Sequence, residues 1–433
     1  MLFGSPGGST IQPVADSSKP NFTVTVDGSP IRDDLISALV SITVDEPLDQ
    51  AAVCAIKFRD DGAQLSSDHP FQVGATLEVG LGYVGEPTTN VFKGQVTGHK
   101  GAFARRSNPT FTILGHDRFH LLRRNRRSKT FLQIKDSDAI KQVAQEAGLS
   151  AKVDATPVTH EAIFQINQTD ADFILERAAV LGYETFVEGS ELRSRPPDLS
   201  AKAVATLIWH EELRHFETRI SLANQHPELK AQAWSMKEKK LLEATAKKGQ
   251  ERSLMGGTEP GAKFAQEVFK EDTWVRASVP ARTQDEVQAY AEARFRQQSE
   301  AFLLGEGTCE GNPKIRRGTV VEVDEIGDHL AGPYYVRRAI HTLLADSGYT
   351  TSFRVLRTAV KRPAVAVPNP DRPPPRAQEP YEAAVENDPL TFEVGESGGA
   401  PLGGAPFVVV DPSGERQSGD LSSDGKVEVE HPE

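Results

Sequence analysis

Cysteine is scarce in this chain: 433 residues contain Cys54 and Cys309 and no other. A zinc site needs three or four soft ligands at short spacing, so no zinc centre is expected, nor any other metal or cofactor. The two thiols lie far apart in different strand patterns. They read as separate, reduced and buried, with a single disulfide as the alternative. Long apolar runs are also missing, and stretches such as "TVVEVDEI" are far too short to cross a bilayer. The opening "MLFGSPGGSTIQPVADSSKP" lacks a basic start and an apolar core. It is therefore expected to be a flexible leader rather than a secretory signal, and synthesis in the cytoplasm follows. No glycine-rich phosphate loop follows a strand. Aromatic residues make up only 7%, too few for stacked sugar subsites or interleaved base stacking. An excess of positive charge is absent too: the formal charge is −12, which argues against nucleic acid as the main partner.

What remains is an ordinary globular composition, 38% hydrophobic and 25% charged, long enough for two to four domains. Residues 21–127 alternate as short strands: "FTVTVDG" places Phe22, Val24 and Val26 on one face, and Asp27-Gly28 makes a turn. A first β-barrel-like domain is expected there. Over 128–198 the period shifts from two to 3.6, giving an α+β insert. Asp136 or Ser137 is expected to cap its first helix and Gly148 to end it; Thr169 caps the second and Gly182 ends it. A second strand-rich domain is expected over 199–362. Within it "KEKKLLEATAKKGQERS" reads as a charged, exposed connection. "RTQDEVQAYAEARFRQQSEAFLLG" reads as a long helix with a Thr283/Glu286 capping box. A proline-rich linker follows over 363–388, then a small β segment over 389–433. The fold class is β-rich α+β.

Several clusters invite a catalytic reading. Cys309 and His341 have the residue types of a thiol hydrolase, but Cys309 alternates like a strand residue with no helix after it, and His341 lies in an apolar strand. "HEELRH" puts His210 and His215 five apart, where a zincin helix needs four. "GHDRFH" brings His, Asp and His close together, and His116 and His120 at i and i+4 could hold a metal on a helix, but no third ligand is near them, so a turn into a short amphipathic segment packed by Leu121 and Leu122 is preferred. Glu322, Asp324 and Glu325 read as strand-face acids. No credible catalytic set emerges, and the chain is not expected to be an enzyme. The one charge anomaly is basic: Arg123, Arg124, Arg126, Arg127 and Lys129, with Arg105 and Arg106 upstream. It reads as a solvated loop or as a patch docking onto an acidic protein surface.

The order of these blocks, with "VFKGQVTGH", "ILGHDRFHLLRRNRRSKTF", "DAIKQVAQEAGL" and above all "QINQTDADFILERAAVLGYETFVEGSEL", resembles the late control gene D family of contractile phage tails and the VgrG-type hubs of type VI secretion and extracellular contractile injection systems. The closing stretches "AEARFRQQSEAFLLGEGTCEGNPKIRRGTVVEV" and "GPYYVRRAIHTLLADSGYTTSFRVLR" fit the same family, so the resemblance spans about residues 20–360. It implies a structural baseplate hub and virion component: a homotrimer whose chains each supply two tube domains, adapting a hexameric tail tube to a trimeric spike. The implied partners are the tube or tube-initiator protein, a separate spike or needle protein and other baseplate subunits, in a phage-tail-like particle for which release from the cell is one option. The C-terminus departs from the family, since no needle follows. "PLGGAPFVVVDPSGERQSGDLSSDGKVEVE" instead resembles the start of a transthyretin-like module whose sheet would be completed in trans. The competing reading is a tail-associated cell-wall hydrolase.

Overall fold

A computed structural model describes residues 19–105, 108–270, 273–277, 279, 281–361, 390–393, 406–410, 416–420, 422 and 426–429. The expected leader, apart from its last two residues, and the expected proline-rich linker lie outside the described residues, as does much of the C-terminal segment. The chain divides into two compact units, 1–363 and 364–433, each described by itself.

Strand β1 (Pro20–Val26) turns into β2 (Ser29–Pro30) through Asp27 and Gly28, whose φ values of 48° and 80° match the right-handed twist of a tight hairpin. Helix α1 (Asp33–Ala38) leads to β3 (Leu39–Pro47), β4 (Val53–Arg59), β5 (Thr76–Tyr83), β6 (Thr89–Ala102) and β7 (Thr110–His116). Alternation puts Ile42, Val44, Cys54, Ile56, Phe58, Leu77, Val79, Phe111 and Ile113 in one core around Phe71.

The α+β insert follows: β8 (Arg126–Lys135), α2 (Asp136–Glu146), β9 (Ser150–Val153), β10 (Thr159–Thr169), α3 (Asp170–Leu181), β11 (Glu184–Glu188) and β12 (Glu191–Arg195). β8 and β10 form a two-stranded antiparallel ribbon, while β11, β12 and β9 form a second small sheet. Phe131 stacks on Phe173 at 5.4 Å between centroids, with Ile140, Val143 and Ile174 closing the core. Thr169 accepts from the Asp172 amide and Gly182 ends α3 in the left-handed region at φ 66°, as the sequence predicts. Neither Asp136 nor Ser137 caps α2. The N-cap is Lys135, with no side-chain cap, because the Asp136 carboxylate is taken by Arg177 and His160, which outcompete a backbone amide.

The remaining strands of this unit are β13 (Thr206–Ile208), β14 (Leu213–Ile220), β15 (Glu228–Ser235), β16 (Lys240–Lys247), β17 (Glu259–Pro260), β18 (Thr273–Arg276), β19 (Leu303–Glu310), β20 (Val320–Asp324), β21 (Gly332–Leu344), β22 (Gly348–Arg357) and β23 (Ala359–Val360). Two helices join them, α4 (Gly261–Phe269) and α5 (Gln284–Glu300). The stretch expected to be a charged connection contains β16. Its inner face carries only Leu242, Ala244 and Ala246, a small alternating signal hidden by Glu243 and Thr245 between them and by the lysines at either end. That face and β15 pack under α5 through Val287, Ala291 and Phe295. The Thr283/Glu286 capping box is present, each residue bonding the other's backbone amide at 3.3 Å.

One antiparallel sheet runs through both strand-rich blocks in the order β14-β19-β22-β21-β3-β4-β7-β6-β5-β1-β2, and the blocks meet where β21 pairs with β3. In the C-terminal unit, β24 (Leu390–Glu393) pairs with β27 (Lys426–Val429), and β25 (Pro406–Val410) with β26 (Arg416–Asp420). The molecule is β-rich with large antiparallel sheets.

Candidate functional site

The suspected catalytic residues are dispersed by the sheet. Register places Cys54, Val44, His341, Thr351 and Cys309 on one rung of β4, β3, β21, β22 and β19. Four inter-strand steps of about 4.8 Å separate the cysteines by roughly 19 Å, beyond disulfide reach; both are free and buried. Burial pushes the Cys309 thiol up to about 12 and lowers His341 to about 4, the reverse of a thiolate–imidazolium pair. Tyr349 Oη and Thr351 Oγ1 lie 2.8 and 3.2 Å from His341 Nδ1 in the core. Asp324 and Glu325 are exposed, and His210 and His215 are both solvent-facing. No group of three or more metal-ligating side chains occurs among the described residues. "GHDRFH" ends β7 and enters a 3₁₀ turn, Arg118–Arg123, that buries Phe119 and Leu122; Leu121 is half-buried.

Asp117 itself sits in a seam that the sequence does not reveal. Its carboxylate accepts from the amides of Ala52 and Phe119 and from Arg317 Nη2 at 3.1 Å. Arg317 also donates to the carbonyls of Val187 (2.6 Å) and Pro47 (3.0 Å), so one guanidinium ties β7, β11 and β3 together. Its neighbour Arg316 holds Glu46 bidentately and donates to the Asn90 and Val91 carbonyls. The only sequence signal for this pair is "RR" immediately before Gly318, a glycine that the chain places at φ 77°.

The basic run is split by the fold. Arg127 pairs with Asp170 at 3.4 Å and Glu146 at 3.6 Å, and Lys129 also binds Glu146, so these two bind β8 to α2 and α3. Arg126 donates to the Asn167 carbonyl at 2.7 Å across the ribbon. Arg123 lies over the Phe119 ring at 5.9 Å, and it, Arg124 and Arg105 are exposed; Arg106 lies outside the described residues. The ribbon itself carries an exposed apolar face that the sequence does not reveal. Alternation along the ribbon turns Leu132 (70% exposed), Phe164 (48%) and Ile166 (70%) outward in line with Arg126, leaving Phe131 and Ile163 for the core. Both faces of this ribbon are apolar, so strand alternation gives no sign of which one is buried.

Two polar seams hold the insert against α5 and β21. At the first, His160 stands between Asp136 and Glu286, each 2.7 Å from a ring nitrogen. Burial opposes its charge, but the hydrogen bonds to the two carboxylates outweigh it and raise its pKa to about 9. At the second, a cavity of about 420 Å³ is lined by Asp49, Glu184, Glu300 and Tyr335. Burial pushes Glu184 up to about 7 against the Tyr335 hydroxyl, which donates to it at 2.5 Å, and against Arg195, which is 3.2 Å away but poorly aligned. Burial raises Asp49 and Glu300 as well.

Among the described residues no helix is long and apolar enough to cross a membrane. Comparison with curated proteins finds no match. Solved structures share the fold. A 43 kDa tail protein of prophage MuSo2 from Shewanella oneidensis has a TM-score of 0.59 and 14% identity, over 78% of this chain and 98% of that one. The tail protein from Neisseria meningitidis MC58 has the same TM-score and identity over 78% and 97%. An Escherichia coli component of the type VI secretion system, described as structurally similar to the T4 bacteriophage tail proteins gp27 and gp5, has a TM-score of 0.50 and 12% identity over 80% and 79%. At these identities the likeness is one of fold. The family described as the Alg8 N-terminal domain matches residues 16–345, about three-quarters of the sequence, and the chain belongs to that family.

Proposed function

We propose that this chain is a structural baseplate hub of a contractile injection particle, akin to late control gene D and VgrG-type hubs. In this reading it is a homotrimer that adapts a hexameric tail tube to a trimeric spike. The observation that carries the reading is the single antiparallel sheet continuing through two strand-rich blocks, joined at β3 and β21, in a fold shared with tail proteins. Three copies of a two-block wall give six similar segments, which is the symmetry match a tube-to-spike adaptor requires. Glu46–Arg316 and Asp117–Arg317 fix the two blocks and the insert as one rigid body, as a load-transmitting part needs. The exposed guanidiniums of Arg105, Arg123 and Arg124 suit docking to acidic baseplate neighbours, and the same role is proposed for Arg106.

The test is mass in solution by light scattering over micromolar concentrations, alone and with a tube-initiator protein. A species of three times 47.1 kDa is expected, and a strict monomer under both conditions overturns the trimer. Deleting residues 366–433 should leave that trimer intact but abolish co-purification of a separate spike protein. Unchanged spike recovery removes the proposed role of the C-terminal segment.

A further inference from the structure

Along β10 the side chains of His160, Ala162 and Phe164 fall on one face of the ribbon, and His160 meets α5 there. Nδ1 lies 2.7 Å from Glu286 Oε1 and Nε2 lies 2.7 Å from Asp136 Oδ2. An ionised carboxylate only accepts hydrogen bonds, and a neutral imidazole has one N–H. Both contacts are satisfied together only by the doubly protonated ring. Asp136 also accepts from Arg177 Nε at 2.5 Å, and Glu286 from the Arg282 amide at 2.5 Å. Two carboxylates therefore balance one guanidinium and one imidazolium. Three of the four side chains, on β10, α2 and α3, belong to the insert; Glu286 belongs to the first turn of α5. A cavity of about 210 Å³ between Ala162, Phe164, Val180, Ala281 and Tyr290 lies alongside, so close apolar packing does not back the polar contact on that side.

We infer that His160 is a proton-dependent latch: doubly protonated, it holds the α+β insert to the N-terminal turn of α5, and loss of one proton releases that turn. The carboxylates on both ring nitrogens raise its pKa to about 9 despite burial, so the latch is closed at neutral pH and opens as pH rises through that value. The other ionisable groups facing the cavity are accounted for. Glu161 on β10 is 3.5 Å from Lys237, Glu176 on α3 accepts from Gln168, and Arg282 stands ahead of α5. Burial raises the pKa of Tyr290 on α5, but Arg276 and Arg294 outweigh it and draw the phenol below its usual value, so Tyr290→Phe is the control.

Hydrogen exchange of the full chain between pH 7 and pH 10, corrected for the intrinsic base-catalysed rate, tests the latch. In the wild type, opening of Val287–Ala291 should rise roughly tenfold or more with a midpoint near 9, while the β21–β22 hairpin stays unchanged. His160→Gln should be open already at pH 7 and show no step. Asp136→Asn should move the midpoint down, and Tyr290→Phe should leave it in place. A flat wild-type profile, a step that survives His160→Gln, or a step lost in Tyr290→Phe overturns the latch.

Discussion

His341 in the main sheet and Glu184 at the insert seam are both fully enclosed, yet burial drives them towards opposite pH dependences. His341 meets the Tyr349 and Thr351 hydroxyls at Nδ1, and burial, opposed by the Glu46 carboxylate 3.9 Å from Nε2, holds its folded pKa at about 4, below the ordinary 6.5. As pH falls below 6.5 the unfolded chain takes up a proton that the folded chain refuses, so the sheet loses stability towards acid. Glu184 has a folded pKa of about 7 against an ordinary 4.5. The folded chain keeps a proton that the unfolded chain gives up, so the seam loses stability as pH rises from 4.5 to 7. Burial penalises the charged form in both cases, and only the sign of that charge differs. The sheet therefore weakens as pH falls from 6.5 to 4, and the seam as pH rises from 4.5 to 7.

The largest expected effect comes from breaking the charge pair that joins sheet to seam. Arg317→Ala leaves Asp117 buried without its counter-charge, and urea denaturation should show a loss of about 3–5 kcal/mol. Next are the two titrations. Glu184→Gln should flatten the decline in stability between pH 4.5 and pH 7, a change on the order of 1–3 kcal/mol, and His341→Gln should flatten the acid limb between pH 6.5 and pH 4 by a similar amount. Thermal melts across pH 4 to 8 check both, and a variant that flattens the other's limb would reverse the assignment. Thr283→Ala removes half of the α5 capping box and should cost about 1 kcal/mol, read as lower helix protection near Glu286. Smallest is Arg124→Glu: its side chain is exposed, so stability should shift by no more than about 0.5 kcal/mol, while binding to the proposed acidic neighbour, if the patch docks as proposed, weakens.

The two regions also differ in how much of them was legible beforehand. Strong local rules carried the strands of the first block, the α3 caps at Thr169 and Gly182, and the capping box, because each depends on residues within four positions of one another. β16 was lost because its buried positions are mostly alanine, whose hydrophobic signal is weak beside Lys240, Glu243 and Lys247 in the same strand. The basic run looked uniform, yet Arg127 and Lys129 point to Glu146 while Arg123 and Arg124 face solvent. The outward Leu132, Phe164 and Ile166 could not be told from the core side, since alternation gives a face but not its direction.

Composition and periodicity alone determined that this is a β-rich α+β chain, because that property follows from residue type and short-range spacing. Partners hundreds of residues apart were decided only by the tertiary structure. Asp117 and Arg317, Glu46 and Arg316, and His160 and Glu286 meet because strand register and helix docking bring them within hydrogen-bond reach. Electrostatic contacts fall off with distance in space rather than along the chain, so charges that look like surface decoration in sequence become the ties between blocks once the sheet has closed around them.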